Sequence, residues 1–239
     1  MSTGIIAATA AEARILTRAP ISAGELIYLP EGSMVILSGM GARRAHSAAR
    51  VLLEKGATAL MSWGFAGGLL PRISAGSLIL PEVVIAPDQS VYHVDPIWHE
   101  RLCRLLETTV QFYRGILVES SAVLTGCAEK TASFHRIGAI AVDMESASVA
   151  LVAKEARLPF TVIRAIVDNA EMFIPRSALN SIDEFGRVHP LRLLTCLARR
   201  PAEFTTLLRL GRNFQAARNT LHTVFSRIGS NMLCPSGIS

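Results

Sequence analysis

Seven short apolar runs dominate the first 170 residues of this chain: Gly4 to Ala8, Met34 to Ser38, Ala59 to Trp63, Ser77 to Ala86, Gly115 to Val123, Ile140 to Asp143 and Phe160 to Val167. Several are apolar throughout, the pattern of strands buried on both faces, whereas half-exposed antiparallel strands alternate apolar with polar residues. Such strands need helices to cover them. Helical spacing appears between the runs, at Ala10 to Arg18, Ala42 to Lys55, Pro96 to Val110, Ala128 to Arg136 and Glu145 to Arg157. The fold class is therefore α/β. Arg157-Leu158-Pro159 and Lys55-Gly56 mark helix stops, since proline cannot continue the hydrogen-bond ladder.

The strand signal ends after Asn169, and two helical stretches follow, near Leu191 to Arg199 and from Pro201 to Ile228. The second sets Phe204, Leu207, Leu208, Phe214, Leu221, Val224, Phe225 and Ile228 at spacings of three, four and seven among Arg209, Arg212 and Arg218, a basic amphipathic helix. The chain accordingly divides into a body, 1–189, and a C-terminal helical extension, 190–239. The net charge of +5 belongs to that extension, which holds seven arginines against one acid, Glu203, and leaves the body one charge negative. Without a concentrated cationic face on the body, nucleic acid is not an expected partner. The extension can lie on an anionic bilayer surface, or its apolar face can pack on the core or on another subunit.

With 239 residues, half of them apolar and a mean hydropathy of +0.37, the chain can bury one full core, which excludes disorder. No apolar run reaches the ~18 residues of a spanning helix, and Glu12 interrupts the first run, so neither a membrane span nor a signal peptide is read. The expected compartment is the cytoplasm, with peripheral contact at the inner face of the membrane as the extension's further possibility. Cys103, Cys127, Cys196 and Cys234 show no metal or disulfide spacing, and the six histidines share none. No metal site and no cofactor are expected.

Glycines and acids carry the chemical signal. Gly39-Met40-Gly41 follows a strand and opens a helix, but Arg44 stands where a dinucleotide fingerprint needs its third glycine. Gly41 with Arg43 and Arg44 can hold an anion at the helix start, or the arginines are simply solvated. Gly64-Phe65-Ala66-Gly67-Gly68 reads as a small-residue loop after a buried strand, at the edge where α/β sheets bind ligands. Glu12, Asp143-Met144-Glu145 and Asp168 all fall where strands end. Each can cap a helix, yet together at one edge they fit a polar site.

These residues resemble the purine nucleoside phosphorylase and nucleosidase superfamily, most closely its methylthioadenosine/S-adenosylhomocysteine nucleosidase branch. The resemblance rests on Gly4-Ile5-Ile6 through Glu12, Ser38 to Gly41, Gly64 to Leu69, Ala75 to Ile79, Val142 to Ala147 and Pro159 to Asp168, in family order. Length and the arginine-rich tail resemble the hopanoid-associated phosphorylases, which act on the lipid nucleoside adenosylhopane. The resemblance implies a three-layer α/β/α fold with a mostly buried mixed sheet, a homodimer, and cleavage of the N-glycosidic bond of a 5′-substituted adenosine. It assigns Asp168 as the acid that protonates the purine, Glu145 and Met144 to the ribose, Gly67 to the substrate, and Glu12 to water activation; Ser120 to Leu124 departs from the family's adenine segment and loses its stacking Phe, but the backbone of Val123 and Leu124 can still read the base edge. Phosphorolysis with phosphate as co-substrate would instead use Gly41, Arg43, Arg44, Phe65 and Ala66.

Departures bear on the choice. The loop after the first strand, Ala8-Thr9-Ala10-Ala11, lacks the phosphorylase arginine, and Phe65 stands where nucleosidases place a small hydroxyl residue. The subgroup resemblance favours phosphorolysis of adenosylhopane. Hydrolysis of methylthioadenosine or S-adenosylhomocysteine is the alternative, and a noncatalytic nucleoside or lipid carrier is the alternative of another class.

Overall fold

A computed structural model describes residues 2–17, 20–30 and 32–229; Arg18, Cys234 and the rest of 230–239 lie outside them. Among the described residues, one mixed sheet of eleven strands is formed. In chain order the strands are β1 (Thr3–Ala7), β2 (Leu26–Tyr28), β3 (Met34–Leu37), β4 (Ala59–Gly68), β5 (Leu78–Ile79), β6 (Val83–Ile85), β7 (Val91–His93), β8 (Phe112–Tyr113), β9 (Ile116–Glu119), β10 (Ala139–Asp143) and β11 (Phe160–Asp168). The helices are α1 (Ala10–Leu16), α2 (Ala42–Glu54), α3 (Pro96–Leu106), α4 (Cys127–Ile137), α5 (Ser146–Ala156), α6 (Arg176–Leu179), α7 (Pro190–Arg199) and α8 (Phe204–Ile228), with a 3-10 turn at Pro201–Glu203 before the last.

β4 organises the sheet. Its first half pairs in parallel with β1, its length pairs in parallel with β11, and its last two residues pair antiparallel with β10. The sheet therefore forks at the far end of β4, one arm running through β10, β9, β6 and β7 and the other through β11, β5 and β8. Side chains that emerge at the fork face one another across a gap.

Two expectations change here. Gly64 to Gly68 is not a loop but the second half of β4, because its backbone is satisfied by β11, from Arg164↔Gly64 to Asp168↔Gly67, and by β10. Ser77 to Ala86 is not one strand: Pro81, which has no N–H to give, separates β5 from β6, and the two pieces serve different arms. The remaining apolar runs form strands within two residues of the expected starts, and β2, β7, β8 and α6 add to them.

α8 packs into the body. Ala217, Leu221, Val224 and Ile228 are buried in the same cluster as Ile5, Trp63 and Ile163, Phe225 meets Trp63 edge-on with ring centroids 6.5 Å apart, and Thr220 donates to the carbonyl of Gly76 at 2.6 Å. Burying Leu221, Val224 and Ile228 contributes about 1.5–3 kcal/mol each. The apolar face in the second half of α8 is thus occupied by the core. Its first turns and α7 are different: Leu191, Leu194, Phe204 and Leu208 are exposed. No helix among the described residues is long and apolar enough to cross a membrane.

Candidate active site

A cleft of about 220 Å³, open to solvent, lies at the fork of the sheet. The ends of β4, β10 and β11 and the starts of α1 and α5 deliver its polar groups. Among its lining residues are Glu12, Phe65, Ala66, Gly67, Val123, Leu124, Met144, Glu145 and Asp168, all singled out from sequence. Gly41 stands next to it, at φ +101°, and its amide donates to Glu145 Oε1 at 2.8 Å. Arg43 and Arg44 are elsewhere. Both are exposed on α2 outside the lining, and Arg44 turns to the carbonyl of Met40 at 3.3 Å and to Glu184 at 3.8 Å. Of the residues expected to surround a phosphate, Phe65 and Ala66 line the cleft and Gly41 adjoins it, whereas the two arginines do not.

Glu12 owes its place to a helix cap. Thr9 and Glu12 form a reciprocal capping box at the start of α1, Thr9 N donating to Glu12 Oε2 at 2.7 Å and Glu12 N to Thr9 Oγ1 at 3.3 Å. The other oxygen, Oε1, accepts from Phe65 N at 2.8 Å. Capping and site roles thus coincide in one side chain. Burial pushes the Glu12 carboxyl above the usual range, opposed by the charge of Arg164 and by its amide donors.

Arg164, 1% exposed in the middle of β11, is the hub of this side of the cleft. Its Nε donates to Asp143 Oδ2 at 2.8 Å, its Nη2 to Ser62 Oγ at 2.6 Å and Ser146 Oγ at 3.1 Å, and Glu145 Oε2 stands 4.0 Å away. Asp143 also accepts from the Ser146 hydroxyl and from the amides of Glu145 and Ser146 at 3.3 and 3.2 Å, so it anchors Arg164 and the start of α5 together. Nη1 is buried without a hydrogen-bond partner among the described residues. A Cβ placed on Gly64 would stand 2.5 Å from Nη1 and 2.2 Å from Glu12 Oε1. Only glycine leaves room for both groups there.

Three acids share that single guanidinium, and not all of them can be ionised cheaply. Burial and the neighbouring Asp143 push Glu145 up to about 8, against the pull of Arg164 and the Gly41 amide. Asp168 sits apart, at the end of β11 beside Gly67, where a Cβ would come within 3.3 Å of its Oδ2. Lys130 from α4 is its ion-pair partner. Burial pushes the Asp168 carboxyl up, while the Lys130 ammonium pulls it down.

Arg164, Lys130 and Ser62 were not among the sequence candidates. Arg164 did carry a signal, a charge inside the apolar run Phe160 to Val167. Lys130 carried none, since Ala128 to Arg136 reads as an ordinary polar helix.

Residues 4–189 match the phosphorylase superfamily. The chain is 29% identical over 185 residues to a 5′-methylthioadenosine/S-adenosylhomocysteine nucleosidase of Anoxybacillus flavithermus, a match that covers 63% of this chain and 78% of that one. Among solved structures, it resembles an S-adenosylhomocysteine nucleosidase from Streptococcus pyogenes in complex with 5-methylthiotubericidin, with a TM-score of 0.67 at 19% identity over 96% of this chain and 98% of the other. It also resembles a futalosine hydrolase of Helicobacter pylori, with a TM-score of 0.66 at 16% identity over 95% and 97%.

Proposed function

The chain belongs to the phosphorylase superfamily, and on that premise we propose that it removes adenine from a 5′-substituted adenosine, with water as the nucleophile. The observation that carries this reading is the convergence on one cleft of three buried carboxyls, Glu12, Glu145 and Asp168, all pushed above their ordinary range.

Cleavage of an N-glycosidic bond places electrons on the purine and positive charge on the sugar, so the two ends of the cleft have opposite tasks. Asp168 gives its proton to N7 as the C1′–N9 pair moves into the ring, and adenine departs neutral. Glu145 accepts from the ribose hydroxyls while Met144 packs on the sugar, and the acid-rich surroundings of Arg164 favour the developing cation. Glu12 takes a proton from the water that bonds to C1′, and Arg164 Nη1, otherwise unpartnered, orients that water. One proton leaves Asp168 and one arrives at Glu12, so exchange with solvent resets the pair. Val123 and Leu124 offer backbone groups to the base edge.

The second reading, phosphorolysis of adenosylhopane, draws on two observations: Nη1 of Arg164 is a buried donor without a hydrogen-bond partner among the described residues, and exposed apolar residues, Val123 and Phe173 among them, stand on or beside the lining of the cleft. Incubation with methylthioadenosine, S-adenosylhomocysteine or adenosylhopane, each with and without phosphate, separates the readings. Adenine and free sugar at equal rates in both buffers is the expected result. A sugar 1-phosphate formed only with phosphate would replace water by phosphate, and binding without release of adenine from any nucleoside would leave a carrier.

Two partners belong to the same proposal. A homodimer follows from the nucleosidase resemblance, and sedimentation tests it. Contact with an anionic membrane now rests on α7 and the start of α8, where exposed Leu191, Leu194, Phe204 and Leu208 lie among Arg192, Arg199 and Arg209. Co-sedimentation with anionic vesicles should fall when Leu191 and Leu194 become aspartate. Equal pelleting of both proteins, or of neither, would remove the membrane from this reading.

A further inference from the structure

The one side chain of α4 that is buried is a lysine. Lys130 is 0% exposed, and its ammonium donates to Asp168 Oδ2, to the carbonyl of Asn169 at 2.8 Å and to the carbonyl of Met172 at 3.0 Å. Three donors thus meet three acceptors; Phe134 and Ile137 pack the helix against the core from its far end, and Lys130 alone reaches the acid. Burying an ammonium is expensive unless its charge is used or matched. The other charged groups on the cleft, Glu12, Asp143 and Glu145, face Arg164 instead, so Lys130 is the charged partner of Asp168.

We propose that Lys130 is the positioning residue of the acid: it fixes Asp168 through Oδ2, leaves Oδ1 to present the proton to the purine, and stabilises the carboxylate that remains once the proton has gone. This rests on the proposed cleavage of an adenine nucleoside and deepens it. The proton passes from Oδ1 to N7, the C1′–N9 electron pair enters the ring, and Lys130 keeps all three of its hydrogens throughout. A carboxyl buried in an apolar cleft without such a cation would hold its proton too firmly to protonate a weakly basic ring nitrogen. With the ammonium in place before the reaction starts, the negative charge forms against a fixed positive one.

The test compares Lys130→Gln, which keeps donors without charge, with Lys130→Arg, which keeps the charge. Activity requires the protonated acid, so kcat falls as pH rises through its titration in the complex. Loss of the cation should move that alkaline limb up by about one pH unit or more and lower the plateau by about 10²-fold. A 4-nitrophenyl riboside, whose phenolate leaves without a proton, should be cleaved by Lys130→Gln at close to the wild-type rate. Lys130→Arg should keep the wild-type limb.

An unmoved limb in a folded Lys130→Gln, or equal losses on both substrates, would reduce Lys130 to a structural lysine and overturn the proposal. Should Lys130→Gln fail to fold, Lys130→Arg decides, because a displaced limb with the cation in place overturns it equally. If the wild-type protein releases adenine from no nucleoside, the underlying reaction fails instead, a result distinguishable before any variant is made.

Discussion

The two ends of the cleft bury ions in different proportions. Around Arg164 three carboxyls, Glu12, Asp143 and Glu145, share one guanidinium, while at the other end Asp168 has Lys130 to itself. The first arrangement gathers acids where a sugar cation would form, and burial beside Asp143 pushes one of them, Glu145, up to about 8. The second holds an acid with its counter-charge already in place, as donation of a proton to a leaving purine requires. One sheet fork thus supports both halves of a reaction that separates charge.

The comparison breaks most visibly if the hub is removed. Asp143→Asn removes the carboxylate bonded to Arg164 Nε and leaves Glu12 and Glu145 to share the guanidinium, and the fold should lose about 1–3 kcal/mol, read as the midpoint of urea unfolding. A change near zero would mean that Asp143 is not what anchors Arg164. Next, Gly64→Ala drives a methyl group to within 2.5 Å of both Glu12 and Arg164. Adenine release should fall by about 10²-fold or more while Lys130 and Asp168 are untouched, because misplacing a catalytic group by ~1 Å costs that much. Near-normal turnover in this variant would take the nucleophile away from that corner.

The third prediction concerns pH. The folded protein keeps the Glu145 proton up to about 8, whereas the unfolded chain releases it near the ordinary 4.5. Between those values the folded state binds more protons, so its stability declines as pH rises. Glu145→Gln should therefore raise the melting temperature at pH 8.5 relative to wild type, with a smaller gain at pH 5. A gain that does not grow with pH would mean that the surplus acid is not Glu145. Smallest of all, Arg43→Ala and Arg44→Ala, both outside the cleft, should leave adenine release essentially unchanged. A large fall in phosphate buffer alone would revive them as anion ligands.

Much of this site could be read from the chain because its acids sit where apolar runs stop. Glu12, Asp143, Glu145 and Asp168 follow β1, β10 and β11, whose continuous apolar character marks them as central strands. β4 was legible only to Trp63: its glycines look like a loop in sequence, and it takes the pairing with β10 and β11 to make them strand. Short edge pieces such as β2 and β8 hold too few residues for a pattern. Periodicity found α8 but could not say what its apolar face meets, since bilayer, partner and core all select the same spacing. Lys130 lay beyond sequence reasoning because it meets an acid 38 residues away, from a helix that is otherwise polar or half-exposed.

Asp168→Asn assayed on two leaving groups tests the central claim most directly. Release of adenine from methylthioadenosine should fall by about 10²–10⁴-fold, while cleavage of a 4-nitrophenyl riboside, which needs no proton on its leaving oxygen, continues near the wild-type rate. Equal loss on both substrates, or retained adenine release, would show that Asp168 is not the proton donor.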